Sequence, residues 1–153
     1  MTEALLAILH HFAVFAVFGI LLAEHMLLQL PPTAPAIRLL GRIDLIYGIS
    51  AGVAVLAGIG RILHGIKGTD FYLGNPLFWT KMGVFALIGL ISIGPTLRFL
   101  AWNKSLQSTN AVPDATAWAQ PLRLVRIQLA LFVSLPLLAV LMARGFGLGS
   151  TPG

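Results

Sequence analysis

The sequence predicts an all-α integral membrane protein, a four-helix transmembrane bundle. Three observations predict it. Hydrophobic residues make up 58% of the chain and charged ones 10%, where a soluble domain carries about a quarter charged residues. The mean hydropathy is +0.91. The apolar residues gather into four runs, parted by links rich in Pro, Gly and charge. Those runs and their links use up nearly all 153 residues, so residues 1–153 read as a single domain with no soluble domain of meaningful size attached.

The first span runs from about Ala4 to Leu30, with Pro31, Pro32 and Pro35 ending it because proline cannot continue the helical ladder. Met1-Thr2-Glu3 has no basic stretch and no small-residue cleavage pattern follows, so this run is expected to be a retained helix and not a signal peptide. The second span covers about 37–63 and holds many Gly and Ala. His64 to Pro76, with Gly65, Gly68, Gly74 and Asn75, reads as a loop. The third span covers about 77–100, Trp102 to Gln120 is a polar connection, and the fourth span covers about 122–143. A frayed tail follows from Gly145. Pro95 and Pro136 predict kinks, with Ser92 and Ser134 near enough to serve the freed carbonyls.

Four spans put both termini on one side. The links after the first and third spans carry Arg38, Arg42, Arg98, Lys104, Arg123 and Arg126, against Arg61, Lys67, Lys81 and Arg144 on the other side. The positive-inside rule then places the termini outside a bacterial cytoplasmic (inner) membrane. Trp102 and Trp118 would mark the inner interface, Tyr72 and Trp79 the outer one. The net charge of +5 is spread in ones and twos beside apolar runs, which excludes a nucleic-acid face. With no cysteine, disulfides and thiolate chemistry are excluded. Nucleotide-binding Gly-rich fingerprints, phosphate loops and nucleophile elbows do not occur, and Gly145 to Gly149 reads as tail.

Ionisable groups inside spans are costly and mark function. Here they fall in two layers. The outer layer holds His10, His11, Arg61, His64, Lys81 and Arg144; the inner one holds Glu24, His25, Asp44, Arg98 and Arg126. Helical spacing puts His10, His11, Glu24 and His25 on one broad face of the first span. In the second span, Asp44, Tyr47, Ala51, Ala54, Gly58 and Arg61 form a stripe whose small middle allows close helix approach or leaves room for a flat ligand. His11 and His25 are about 21 Å apart along the axis, too far for one metal. His10 or His11 with His64 could supply two axial ligands to a haem iron, with Arg61, Lys81 and Arg144 neutralising its propionates. Glu24 and Asp44 read most simply as a buried ion-pair network with Arg98 and Arg126, joined by His25.

Leu9-His10-His11, Ala23-Glu24-His25, Asp44 to Gly48, Lys67-Gly68, Asn75 to Lys81 and Ser92 to Phe99 together resemble a bacterial family of small four-span membrane proteins, domain of unknown function 2214. That resemblance covers the chain to about Ala143 and implies the architecture but no activity. Leu9-His10 and Phe78-Trp79-Thr80-Lys81 are also similar to HemJ-type membrane protoporphyrinogen oxidases, although Trp79 stands where that family is expected to carry histidine. This second resemblance implies haem b or porphyrin as cofactor, with His10 or His11 and Lys81 as functional residues.

Three function classes follow. The first is a haem- or porphyrin-binding protein of electron transfer or porphyrin oxidation. The second is a non-catalytic membrane subunit or assembly factor, whose partners beyond the bilayer are other membrane subunits or further copies of the chain. The third is a small transporter or proton-conducting protein using Glu24, Asp44 and His25 as a relay. Whether the protein is an enzyme stays open at this level. Haem ligation predicts a Soret band in the visible spectrum of the purified protein, abolished when the ligand among His10, His11 and His64 is substituted.

Overall fold

The computed structural model describes residues 1–64 and 68–146. It contains helices α1 (Thr2–Leu27), α2 (Ala34–His64), α3 (Gly68–Leu73), α4 (Pro76–Thr109) and α5 (Ala115–Ala143). All but α3 are long and apolar enough to cross a bilayer. α1 packs along α2 and α4 along α5, while α2–α4 and α1–α5 contacts close the four into a ring. The centre of that ring is filled by Val17, Leu21, Leu40, Ile88, Phe99, Val125 and Phe132, with the Phe18 and Phe132 rings 5.5 Å apart.

The helix ends follow from local chemistry. α1 stops at Leu27, short of the expected Leu30: Gln29 and Leu30 close tighter turns onto Met26 and Leu27, and Pro31 has no N–H with which to continue the ladder. α2 begins at Ala34. Thr33 accepts a hydrogen bond from the Ala36 amide (3.4 Å), and Pro35 sits in the first turn, where its missing N–H leaves no bond unmade. The segment expected to be a loop contains α3, whereas Gly65 to Lys67 lie outside the described residues. Asn75, fully buried, caps α4 by accepting from the Leu77 amide (2.9 Å) and donates to the Phe146 carbonyl (3.1 Å). It thereby ties the end of the described chain to the start of α4. The expected tail from Gly145 is thus partly anchored; 147–153 lie outside the described residues.

Two expectations fail for the same reason. Trp102 to Gln120 is not a polar connection: α4 runs on to Thr109, α5 starts at Ala115, and Asn110 turns the chain in the left-handed region (φ 56°). Nor do Trp102 and Trp118 mark a lipid interface. They stack on each other, centroids 4.9 Å apart and planes at 19°, and both are buried together with Leu106. These apolar contacts carry the hairpin past the point where charges set in. With 34 residues, α4 is about 50 Å long, and so outreaches a hydrocarbon core of about 30 Å.

Helix assignment continues unbroken through Pro95 and Pro136, and also through Pro121. The serines do not serve the carbonyls that Pro95 and Pro136 free, those of Ile91 and Phe132. Ser92 donates to Gly89 (2.7 Å) and Ser134 to Leu131 (2.7 Å), each three residues back in its own turn.

Phe99 is 0% exposed and Leu97, two residues away, is 61% exposed. Phe99→Ala should destabilise the bundle by about 3 kcal/mol through the cavity it leaves. Leu97→Ala, on the lipid side, should change stability by less than about 0.5 kcal/mol. Unfolding of both variants in mixed micelles checks this.

Candidate functional site

The broad polar face expected on α1 divides in two. Val17, Leu21 and Glu24 point into the bundle and His10 is half-buried, whereas His11, Phe15 and Leu22 are exposed to the lipid side. The physical reason is the width of the contact. One helix seated closely against another covers a single stripe, and the neighbouring stripe is left outside.

The inner layer assembles around the two acids. Glu24 of α1 is 2% exposed and Asp44 of α2 is 8% exposed. Asp44 is the charged group that bears on Glu24, and both bear on Tyr47. The Thr96 hydroxyl on α4 donates to Asp44 Oδ1 (2.8 Å). The Tyr47 hydroxyl donates to Gln128 Oε1 on α5 (3.3 Å). Four helices therefore converge on one cluster of oxygen atoms. Glu24 Oε1 is buried and has no hydrogen-bond partner. An unsatisfied acceptor in a dry interior costs about 1–3 kcal/mol.

The basic residues expected to complete this layer are elsewhere. Arg98 and Arg126 are exposed, and among the described residues neither forms an ion pair with Glu24 or Asp44. A long guanidinium is less costly in the headgroup region than in the bundle core, and both side chains lie outside that core. His25 is partly buried beside Glu24 in sequence, its Nδ1 buried and unpartnered. Thr96 and Gln128 are the members of the cluster that sequence reasoning missed. Each is an uncharged polar residue within a largely apolar run, a signal that was legible but weaker than charge.

About 21 Å along α1, 14 residues at 1.5 Å each, lies the outer layer. His10 Nδ1 is 2.8 Å from the Ala54 carbonyl of α2, and Arg61 and Lys81 lie close enough to act on it electrostatically. Arg61 Nε is buried without a partner. The structure thus brings together His10, Arg61 and Lys81. His11 turns Nδ1 to the Ala7 carbonyl of its own helix (2.6 Å) and His64 to Gly60 of its own (3.2 Å), and both are exposed. Arg144 is exposed at the end of α5.

A haem held by two histidines of α1 and α2 does not fit these residues. His64 sits six positions past Gly58, about 9 Å further along the axis, whereas the His10 ring lies against Gly58 itself. A Cβ at that glycine would come within 3.3 Å of the ring. Ala54 and Ala57 are buried, and a Cβ at Gly60 would meet Leu6 at 3.0 Å. The small-residue stripe is thus a seam against which α1 closes, and leaves no flat slot there.

A family model described as "Predicted membrane protein (DUF2214)" matches residues 2–147. No curated protein and no solved structure matches.

Because Glu24 contributes an unsatisfied carboxyl to the core, Glu24→Leu should leave the protein as stable as before or raise its melting temperature by a few degrees. Asp44→Ala should lower it by removing the Thr96 partner. Thermal unfolding of both variants in detergent is the check.

Proposed function

The chain belongs to the DUF2214 family of predicted membrane proteins, and on that premise we propose that it handles protons in the bilayer, with Glu24 and Asp44 as the working centre. One observation carries this reading: a carboxyl oxygen of Glu24 is buried without a partner beside a second buried acid, and no cation pairs with either among the described residues. Two acids in a dry site need positive charge between them, and with no arginine there a proton is the smallest species that supplies it.

The surrounding hydroxyls give the centre a means of passing that proton on. Thr96 donates to Asp44, and Tyr47 donates to Gln128. Each hydroxyl can rotate and exchange donor for acceptor roles. Glu24 lies one turn from the end of α1, which makes the inner interface the near side for exchange. Towards the other side the bundle is filled by Val17, Ala54 and Ala57, and beyond them stand His10, Arg61 and Lys81. Fixed cations at that level oppose the passage of free cations. Transfer across the whole membrane then requires the small-residue seam between α1 and α2 to shift, parting the His10 ring from Gly58 and Leu6 from Gly60.

Liposomes containing the protein, with a pH-sensitive dye inside and an imposed potential, test the reading. Flux should exceed that of protein-free vesicles and fall by about a hundredfold in Glu24→Gln and in Asp44→Asn, the scale of a positioned proton-transfer group. Undiminished flux in the doubly substituted protein, or none in the native one, overturns it.

A further inference from the structure

On the outside of the ring, between the first turns of α2 and the second half of α4, lies an open groove of about 360 Å³. Arg38 and Arg42 of α2 and Asn103, Gln107 and Leu100 of α4 line it. Its floor depends on Gly41. The Asn103 amide nitrogen occupies the space that a Cβ at residue 41 would take. From there it donates to the Ile37 carbonyl (3.1 Å) and to the Phe99 carbonyl (2.9 Å), cross-linking the two helices. That nitrogen is thus committed to the backbone. The charge facing the groove comes from Arg38 and Arg42, both exposed, with the Gln107 amide as a further polar group.

The groove changes character along its length. Arg38 and Arg42 are one turn apart on α2, and Leu45 and Ile49 continue the same stripe towards the membrane centre. On α4 the stripe of Gln107, Asn103 and Leu100 continues through Leu97 and Ile93. Leu45, Ile49, Leu97 and Ile93 are each at least half exposed. A cationic, hydrogen-bonding head end therefore passes directly into an apolar, lipid-facing channel, at the depth where the charged ends of the spans give way to hydrocarbon. The cations have no acidic partner there: among the described residues neither arginine makes an ion pair.

We propose that this groove binds one anionic phospholipid, its phosphate on Arg38 and Arg42 and its acyl chains along Leu45, Ile49, Leu97 and Ile93. Guanidinium groups meet phosphate oxygens with paired, charge-assisted hydrogen bonds, and basic recesses between transmembrane helices hold acidic headgroups in this way. The apolar continuation selects a lipid over a free phosphate. The site is independent of the acid centre, because its arginines face away from the bundle.

The test is native mass spectrometry of the purified protein titrated with phosphatidylglycerol, phosphatidylcholine or inorganic phosphate. One phosphatidylglycerol should be retained, phosphatidylcholine should not, and inorganic phosphate should neither bind detectably nor displace the lipid. At about fivefold per arginine, Arg38→Gln with Arg42→Gln should weaken retention about 30-fold. Arg123→Gln with Arg126→Gln removes equal charge at the same end from α5 and should leave it unchanged. Equal loss in both pairs would reduce the effect to diffuse surface charge and overturn the site. Equal retention of phosphatidylcholine, or displacement by inorganic phosphate, would overturn the anionic-lipid assignment.

Discussion

A bilayer interior offers no hydrogen-bond partners, and every other feature of this protein answers to that constraint. Backbone groups must be satisfied within each span, so the chain crosses as helices. Side-chain polar groups must then turn inward to one another, outward to the headgroups, or back onto their own helix. All three solutions occur. Thr96 with Asp44 and Tyr47 with Gln128 take the first. Arg98 and Arg126, exposed on the outside of the bundle, are placed for the second. Ser92 and Ser134, bonded to carbonyls in their own turns, take the third. Glu24 Oε1 takes none of them, and nor do His25 Nδ1, Arg61 Nε and Trp118 Nε1; of these four buried atoms only the first belongs to an acid.

The same constraint separates the two ends of the molecule chemically. Acids and neutral hydroxyls collect at one depth, and His10, Arg61 and Lys81 collect at another. Between them runs the α1–α2 seam, where small residues let the two backbones approach closely. Packing of that kind relies on shape more than on hydrophobic drive, because lipid tails solvate apolar side chains as well as a protein core does. The seam thus joins the acidic layer to the basic one along a single pair of helices.

Much of the fold was legible in the residues. The four apolar runs, the breaks at Pro31-Pro32 and at Asn75-Pro76, and the polar stripe of α2 from Asp44 to Arg61 all reappear in the structure. The stretch from Trp102 to Gln120 reads as a polar connection, yet α4 runs on to Thr109 and α5 starts at Ala115. The buried pair Trp102 and Trp118, with Leu106, packs these helix ends together, a contact between residues distant in sequence. The candidate site was half legible. Glu24, Asp44, His10, Arg61 and Lys81 stand out as ionisable groups in apolar surroundings, whereas Thr96 and Gln128 carry no charge and did not.

The sequence by itself determined the solvent, the four long apolar helices and the spacing of the charged groups along each, because hydropathy and the 1.5 Å rise per residue are local properties of the chain. It could not determine rotation about each helix axis. Whether Glu24 or His25, His10 or His11, faces the bundle depends on which stripe the neighbouring helix covers. Whether Arg98 and Arg126 reach the acids or the headgroups depends on the comparison between those two environments. Those choices belong to packing between helices distant in sequence, and only the tertiary structure decided them.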